Sequence, residues 1–312
     1  MPPDLFTRTF PAMGGTVEVQ MVGGHETVAQ RTRALFDEHE FRLSRFMPDS
    51  ELCRLNAAGP EPFHASPLLF DAVSEALAWS CVTEGVFDPT VIDALEAAGY
   101  DRSFDQIASR PSPGGTTVMT QPARAIGDQP WRRISLDYDR ETITLPEDVR
   151  IDLGGIGKGY TVDRAIGALG LRANAMVNAS GDLYAAGDGP DGDGWYVGVQ
   201  DPLAPERDVA VLNVNDRGVA TSGSIKRNWM SGDRRYHHLI DARDRRSSNS
   251  DLLTVTVVAP TATQADVLAK TTFLLGGDDG MAMIERFDGA ECIVIGPNGH
   301  SMATSGMAEY FV

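Results

Sequence analysis

Hydrophobic and polar residues follow regular periods along much of the chain, and these periods predict its elements. The stretch "GTVEVQMV" alternates between apolar and polar positions and is predicted to be a strand. Both "HETVAQRTRALFDEHEFRLSRF" and "SPLLFDAVSEALAWSCVTEG" carry apolar residues at helical spacing. The second of these helices is expected to begin with Ser66 as its N-cap and to end at Gly85.

The middle of the chain combines a hairpin with a stretch of weak periodicity. Two alternating runs in "RRISLDYDRETITLP" predict a β-hairpin that turns at residues 139–141. Residues 110–131 contain four prolines and two adjacent glycines, which predicts a loop excursion on the surface. A further helix is expected to begin close to Lys158, because apolar residues recur at helical spacing after it.

The second half of the chain is mainly strand. Alternating or apolar runs occur in "ANAMVNASGDLYAAG", "WYVGVQD", "DVAVLNVN", "LLTVTVVAP" and "AECIVIG", with one helix in "TATQADVLAKTTFLL". These strands follow one another rather than alternating with helices. The pattern therefore favours an α+β fold with largely antiparallel sheets flanked by helices.

Composition and charge narrow the classes of function. The 312 residues are 42% hydrophobic, enough for a substantial core, and the net charge of −17 disfavours a nucleic acid as partner. The chain has no apolar run of about 18 residues, which predicts no membrane span. The opening "MPPDLFTRTFPAMGG" lacks the features of a signal peptide, so a cytoplasmic location is expected.

The glycine-rich stretch "IDLGGIGKGYTVDRA", residues 151–165, suggests a binding site for phosphate. It is not a Walker A loop, because Lys158 is followed by Gly159 instead of Ser or Thr. Its glycines also lack the spacing of a dinucleotide fingerprint. Glycines do let a backbone approach a ligand, and the start of the following helix favours an anion. Taken in isolation, the same glycines are better explained by a tight turn with close helix packing.

Eight stretches together resemble, in the same order, the motifs of the ApbE family, the FAD:protein FMN transferases. They are "FPAMGGTVEV", "SRFMPDSELCRLN", "TEGVFDPTV", "IDLGGIGKGYTVD", "NASGDL", "VATSGS", "YHHLIDA" and "VTVVAPTATQADVLAKTTFLLG", and they extend from residue 10 to residue 276. The resemblance implies one domain over residues 1–312 with a T-fold-related architecture, in which "VATSGS" forms a turn. It also implies that FAD and Mg²⁺ are used to attach FMN to a threonine hydroxyl of an acceptor flavoprotein, with release of AMP.

The resemblance also assigns residues to the substrate and the metal. The positions that contact FAD in the family correspond here to Met13, Phe46, Val86, Phe87, Asp88, Asp152, Lys158 and Ile240. The apolar members of this set are equally compatible with an ordinary core. The metal position corresponds to Gly155, Asp266, Ala269 and Lys270. Without the motif, Asp266 would be interpreted as a surface residue stabilised by the helix dipole.

Three residues are implied as catalytic: His238, Asp241 and Lys270. His238 is the candidate acceptor of the threonine proton, and a half-buried histidine bonded to a carbonyl is the alternative. On an extended segment, the side chains of His238 and Asp241 would fall on opposite faces. His237 is expected to be exposed, and Asp163 to face solvent or stabilise its own helix.

Two departures from the family pattern affect the proposed chemistry. Lys270 stands where the family has a threonine, and an ammonium cannot ligate a cation. Lys270 would then place its own charge on the pyrophosphate, or Thr271 would replace the missing hydroxyl after a small shift. The second departure is "ARDRR" after Asp241, where Pro-x-Thr-Gly is expected. An FAD pyrophosphatase giving FMN and AMP, or a non-catalytic FAD-binding protein, are the alternative functions.

Overall fold

The structure is a computed structural model that describes residues 4–108, 127–170, 173–231 and 234–312. Most of the excursion predicted at 110–131 lies outside these residues. The α-helices are α1 (Glu26–Leu43), α2 (Glu51–Ala57), α3 (Pro67–Val82), α4 (Ile92–Ala97), α5 (Phe104–Ala108), α6 (Gly157–Leu169), α7 (Ala262–Leu275) and α8 (Gly277–Ile284).

The strands are β1 (Leu5–Ala12), β2 (Gly15–Val22), β3 (Phe63–His64), β4 (Ser135–Asp137), β5 (Thr142–Thr144), β6 (Ala175–Ala179), β7 (Asp182–Ala186), β8 (Trp195–Gln200), β9 (Asp208–Val214), β10 (Arg217–Gly223), β11 (Asn228–Ser231), β12 (Arg234–His237), β13 (Ile240–Asp241), β14 (Arg246–Ser247), β15 (Thr254–Ala259), β16 (Glu291–Ile295) and β17 (Ser301–Ala303). Every strand and helix that the sequence predicts is present. The chain divides into a first unit, residues 1–38, 158–223 and 250–312, and a second unit, residues 39–157 and 224–249.

The first unit is built on an eight-stranded sheet in the order β1-β2-β6-β7-β10-β15-β16-β17. Its neighbouring strands pair antiparallel, as the adjacent strand runs predicted. Alternate residues of β2, such as Val17 and Val19, are buried beside Val162 and Ala165 from one face of α6. Helix α7 packs on β10 and β15. The α+β fold with mostly antiparallel sheets is therefore confirmed.

One predicted turn is wrong. The segment "VATSGS", expected to turn, supplies most of strand β10, which ends at Gly223. Thr221 lies opposite Thr256 of β15, and their hydroxyls are 2.9 Å apart. Pairing with a neighbouring strand and the strand preference of threonine outweigh the turn signal of Ser-Gly.

In its described residues, the second unit contains helices α2–α5 and three small antiparallel sheets. The Ser66 hydroxyl accepts a hydrogen bond from the Leu69 N–H at 3.3 Å, which confirms this residue as the N-cap of α3. The predicted hairpin is β4–β5. A core around Leu95, Tyr100 and Trp229 includes the indole N–H of Trp229, which donates to the Ala98 carbonyl at 2.7 Å.

None of the helices formed by the described residues is long and apolar enough to cross a membrane.

Candidate functional site

The glycine-rich stretch leads directly into helix α6. Residues 154–156 form a turn, and the Gly157 N–H that opens the helix donates to the Leu153 carbonyl at 2.7 Å. A Cβ at Gly159 would lie 2.6 Å from the Ala262 carbonyl oxygen and 2.9 Å from Asp266 Cβ. Gly159 is therefore required for the close approach of α6 to α7, and the packing explanation holds at this position.

Lys158 forms a buried ion pair that sequence reasoning missed. Its ammonium binds the carboxylate of Asp182, and the exposed fractions of the two side chains are 19% and 3%. Asp182 begins strand β7, after a turn in which Ser180 and Gly181 both have positive φ. The only signal was the motif "NASGDL", which contained Asp182 without indicating a partner 24 residues away.

Asp266 and Lys270 form a second buried ion pair, one turn apart on α7. Asp266 is fully buried, so its interpretation as a surface residue is wrong, and Oδ1 of its carboxylate accepts from the Lys270 ammonium. Oδ2 accepts from the Gly159 N–H at 3.3 Å. The first unit thus brings the start of α6 together with two of the residues predicted at the metal position.

The other residues predicted at the metal position contribute differently. Ala269 is buried within α7, and Gly155 is half-buried in the turn before α6. Thr271 is buried and donates to the Val267 carbonyl at 2.9 Å, about 100° further round the helix than Lys270. It does not replace the missing hydroxyl. Within the described residues, no group of three or more His, Cys, Asp or Glu is arranged to hold a metal ion.

Asp163 joins α6 to the start of α7, which corrects the expectation that it faces solvent or stabilises its own helix. Its carboxylate accepts from the Ala262 and Thr263 N–H groups at 2.8 Å and from the Thr263 hydroxyl at 2.5 Å. Burial raises the pKa of the Asp163 carboxyl, against these hydrogen bonds, which lower it. A carboxylate at a helix N-terminus is favoured by the helix dipole.

In the second unit, Asp152 lies next to a stacked arginine that the sequence did not indicate. The Arg45 guanidinium is 3.4 Å from the Asp152 carboxylate, and its side chain is 5% exposed. It also lies 4.1 Å from the ring centre of Phe46 and 4.7 Å from that of Tyr100. Arginine, more than lysine, combines such stacking with a carboxylate contact. Burial raises the pKa of Tyr100, although Arg227 and Arg45 oppose the shift.

The remaining residues predicted to contact FAD divide between core and turn positions. Phe87 and Ile240 are buried, and Ile240 belongs to the core of the second unit, whereas Val86 is half-buried. The Asp88 carboxylate accepts from the N–H and the hydroxyl of Thr90, both at 2.7 Å. Met13, in the first unit, has φ of 52° in the two-residue turn between β1 and β2. Such backbone is strained for a residue other than glycine.

The histidine pair lies where β12 ends, and the chain bends at His238. His237 is half-buried, not exposed as expected, and burial lowers the pKa of its imidazole. His238 is also half-buried. Asp241 holds its own turn: its carboxylate accepts from the Arg243 guanidinium at 2.7 Å, and its carbonyl accepts from the Arg245 N–H at 2.7 Å. Arginine contacts thus order the turn that lacks Pro-x-Thr-Gly.

Comparison with known proteins gives a consistent result over most of the chain. The model of the ApbE family matches residues 13–294. An FAD:protein FMN transferase of Treponema pallidum is 29% identical over 292 residues, covering 88% of this chain and 78% of that protein. One from Haemophilus influenzae is 29% identical over 282 residues, covering 86% and 79%.

Solved structures show the same fold. The flavin transferase ApbE from Vibrio cholerae superposes with a TM-score of 0.81 at 26% identity, covering 99% of this chain and 100% of that one. An ApbE protein from Thermotoga maritima gives a TM-score of 0.83 at 23% identity, covering 98% and 99%.

Proposed function

The chain belongs to the ApbE family, and from this premise we propose that it transfers the FMN half of FAD to a threonine hydroxyl of an acceptor flavoprotein, releasing AMP. Its relatives named FAD:protein FMN transferase match most of its length. Membership supports flavin transfer as the reaction class.

The observation that carries the proposal is the junction of α6 and α7. Two lysine ammoniums lie there in ion pairs with buried aspartates, in a protein of net charge −17. Gly159 brings the two helices together and donates its N–H to Asp266. An ammonium has three N–H donors, so it can donate to a phosphate oxygen as well as to its aspartate. This junction suits the pyrophosphate of FAD better than an uncharged ligand.

The aromatic group around Arg45 suits a planar ring system. Phe46 is exposed, and its ring centre lies 5.7 Å from that of Tyr100. Aromatic rings bind planar ligands by offset stacking, and Asp152 beside them, whose side chain is 10% exposed, offers a hydrogen-bond acceptor. We assign Phe46 and Asp152 to the flavin or the adenine on these grounds.

The proposed transfer is one phosphoryl displacement. The threonine Oγ attacks the phosphorus of the FMN half, forming a new P–O bond while the bond to the bridging oxygen breaks. AMP leaves with the bridging oxygen, and His238 takes the threonine proton. Phosphoryl transfer depends on positioning and on neutralising the phosphate charge, which we assign to Lys158 and Lys270. Asp241 orders the turn that follows His238 through its contacts with Arg243.

Mg²⁺, which the resemblance implies, would supply positive charge to the pyrophosphate. The residues at its predicted position do not fit it, because the Lys270 ammonium already binds the carboxylate of Asp266. Ala269 offers no side-chain oxygen. Only the resemblance implies a magnesium requirement, and the transfer step above does not rely on a metal.

A product assay tests the proposed function. Purified protein is incubated with FAD, with and without an acceptor flavoprotein of an ApbE-family transferase, and AMP and FMN are separated by chromatography. We expect AMP to form only with the acceptor and without equivalent free FMN. Equal amounts of AMP and free FMN would indicate the pyrophosphatase alternative, and FAD binding without products would indicate the non-catalytic one.

A matched pair of histidine variants tests the proposed proton acceptor. His238→Ala is expected to lower the rate of AMP release by about 10²–10⁴-fold, the usual contribution of a general base. His300→Ala removes an exposed histidine and serves as the control. Equal rates in the two folded variants would remove His238 from the mechanism.

A further inference from the structure

The use of lysine in this chain is unusual. Only three of its 27 basic residues are lysines: Lys158, Lys226 and Lys270. Lys226 is exposed, whereas Lys158 and Lys270 are largely buried against aspartates. Lysine is rarely buried unless it is paired, because removing an ammonium from water is costly. Each of the two buried lysines has such a partner.

The contacts of Lys270 place its charge at the position that the resemblance assigns to a metal. Its ammonium donates to Oδ1 of Asp266 and lies 3.4 Å from the carbonyl oxygen of the same residue. Oδ2 is engaged by the Gly159 N–H. Because Asp266 and Lys270 stand four residues apart on α7, the helix itself holds the two groups together.

A divalent cation would compete with the ammonium for the same carboxylate. Mg²⁺ needs oxygen ligands at about 2.0–2.1 Å in near-octahedral geometry. An ammonium bound to the same buried carboxylate would repel it, and buried charges are weakly screened. The Lys270 side chain is 12% exposed, which leaves little room for it to withdraw into water.

The ammonium also retains donor capacity. It has three N–H groups, and Asp266 accepts through one carboxylate oxygen and one carbonyl oxygen. One N–H therefore remains for another acceptor. A phosphate oxygen is a strong acceptor for such a charged donor.

We propose that the Lys270 ammonium takes the place of a divalent cation at Asp266, so that this protein binds FAD and transfers FMN without Mg²⁺. The inference rests on the proposed function for its ligand. It predicts that Lys270→Thr, which restores the threonine of the family pattern, exchanges the lysine charge for a metal ion. This variant should require Mg²⁺, which the natural chain does not.

Two binding measurements test the exchange on the full-length protein after treatment with EDTA. Calorimetric titration with Mg²⁺ reads the metal site directly, and quenching of flavin fluorescence gives the dissociation constant of FAD in EDTA and in millimolar Mg²⁺. Wild type is expected to show no Mg²⁺ binding at Asp266 and equal FAD affinity in both media. Lys270→Thr is expected to lose about tenfold in FAD affinity in EDTA and to regain it with Mg²⁺. Lys226→Thr is the control and should match wild type.

Mg²⁺ binding by wild type that Asp266→Asn removes would overturn the inference, as would FAD affinity in Lys270→Thr that is unchanged in both media. Lys270→Arg keeps the positive charge and is expected to stay independent of Mg²⁺, which covers the case that the threonine variant does not fold. The Mg²⁺ titration does not depend on turnover. If the product assay gives no AMP, with or without Mg²⁺, the proposed function is contradicted instead.

Discussion

At the scale of single residues, His237 is held in one neutral tautomer. Its Nε2 lies 2.9 Å from the Ser248 carbonyl and must donate, since a carbonyl only accepts. Its Nδ1 accepts from the Leu239 N–H at 3.3 Å. Protonation of Nδ1 would place its N–H directly opposite the N–H of Leu239, and the two would repel each other. Burial acts in the same direction and lowers the pKa of His237 below its ordinary value of 6.5.

This tautomer makes folding stability depend on pH. Because the folded-state pKa of His237 is below the unfolded value of 6.5, its contribution is present above pH 6.5 and is lost as the pH falls through the folded pKa. Urea unfolding of wild type is expected to show this acid-side loss, and His237→Gln to reduce it. His300→Gln, at an exposed position, should keep the wild-type dependence of the free energy of unfolding on pH. The same pH dependence in all three proteins would contradict the neutral tautomer assigned to His237.

Arg45 is predicted to matter for stability because its partner is buried. Arg45→Met leaves the Asp152 carboxylate without its cation, which typically costs about 3 kcal/mol in the free energy of unfolding. The double variant Arg45→Met, Asp152→Asn should recover part of this loss. Arg33→Met breaks an exposed pair with Asp37 and is expected to cost less than about 1 kcal/mol. Urea unfolding distinguishes the two sites, and similar losses at Arg33 and Arg45 would count against the buried pair.

At the scale of elements, α6 and α7 depend on one glycine for their contact. In Gly159→Ala, the new methyl group would meet the backbone of Ala262, so the helices must separate. Overpacking of this kind typically costs about 1–3 kcal/mol. Gly167→Ala lies in the same helix with nothing within 4 Å of its Cβ, and is expected to stabilise by about 0.5–1 kcal/mol. Thermal and urea unfolding measure both; a tolerated Gly159→Ala would show that the helices are not in close contact.

The N-terminus of α7 depends on Asp163. Asp163→Ala leaves two N–H groups and a buried hydroxyl without their acceptor, and is expected to lower the free energy of unfolding by about 1–3 kcal/mol. Asp191→Ala removes an exposed carboxylate and provides the control. Equal unfolding curves for the two variants would show that Asp163 does not cap the helix.

Helices and strands were predicted correctly where a periodic pattern of apolar residues extends over many positions. The prediction failed where an element is very short or where pairing with a distant strand determines the structure. The helix after Ser66 and the strands of the second half follow from spacing alone. Helices α2 and α4 are only seven and six residues long, too short for a clear period. Strand β10 was mistaken for a turn because its structure comes from pairing with β15, which local sequence does not encode.

At the scale of the whole molecule, the order of the motifs predicted the family and the fold, but not the partners of the site residues. Asp266 accepts from an N–H that is 107 residues away in the chain, and Lys158 pairs across 24 residues. Spacing along one sequence does not contain such distances. Lys270 was an exception, because its relation to Asp266 follows from helical geometry once α7 is recognised.

The most direct test of the central claim is the chemical state of the acceptor after incubation with FAD and this protein. Mass spectrometry of the acceptor peptides is expected to find FMN on one threonine, joined through a phosphoester, with AMP released in equal amount. Replacement of that threonine by alanine should abolish both products. An unmodified acceptor, whether FAD stays intact or is hydrolysed to FMN and AMP, would contradict the claim that the protein is a flavin transferase.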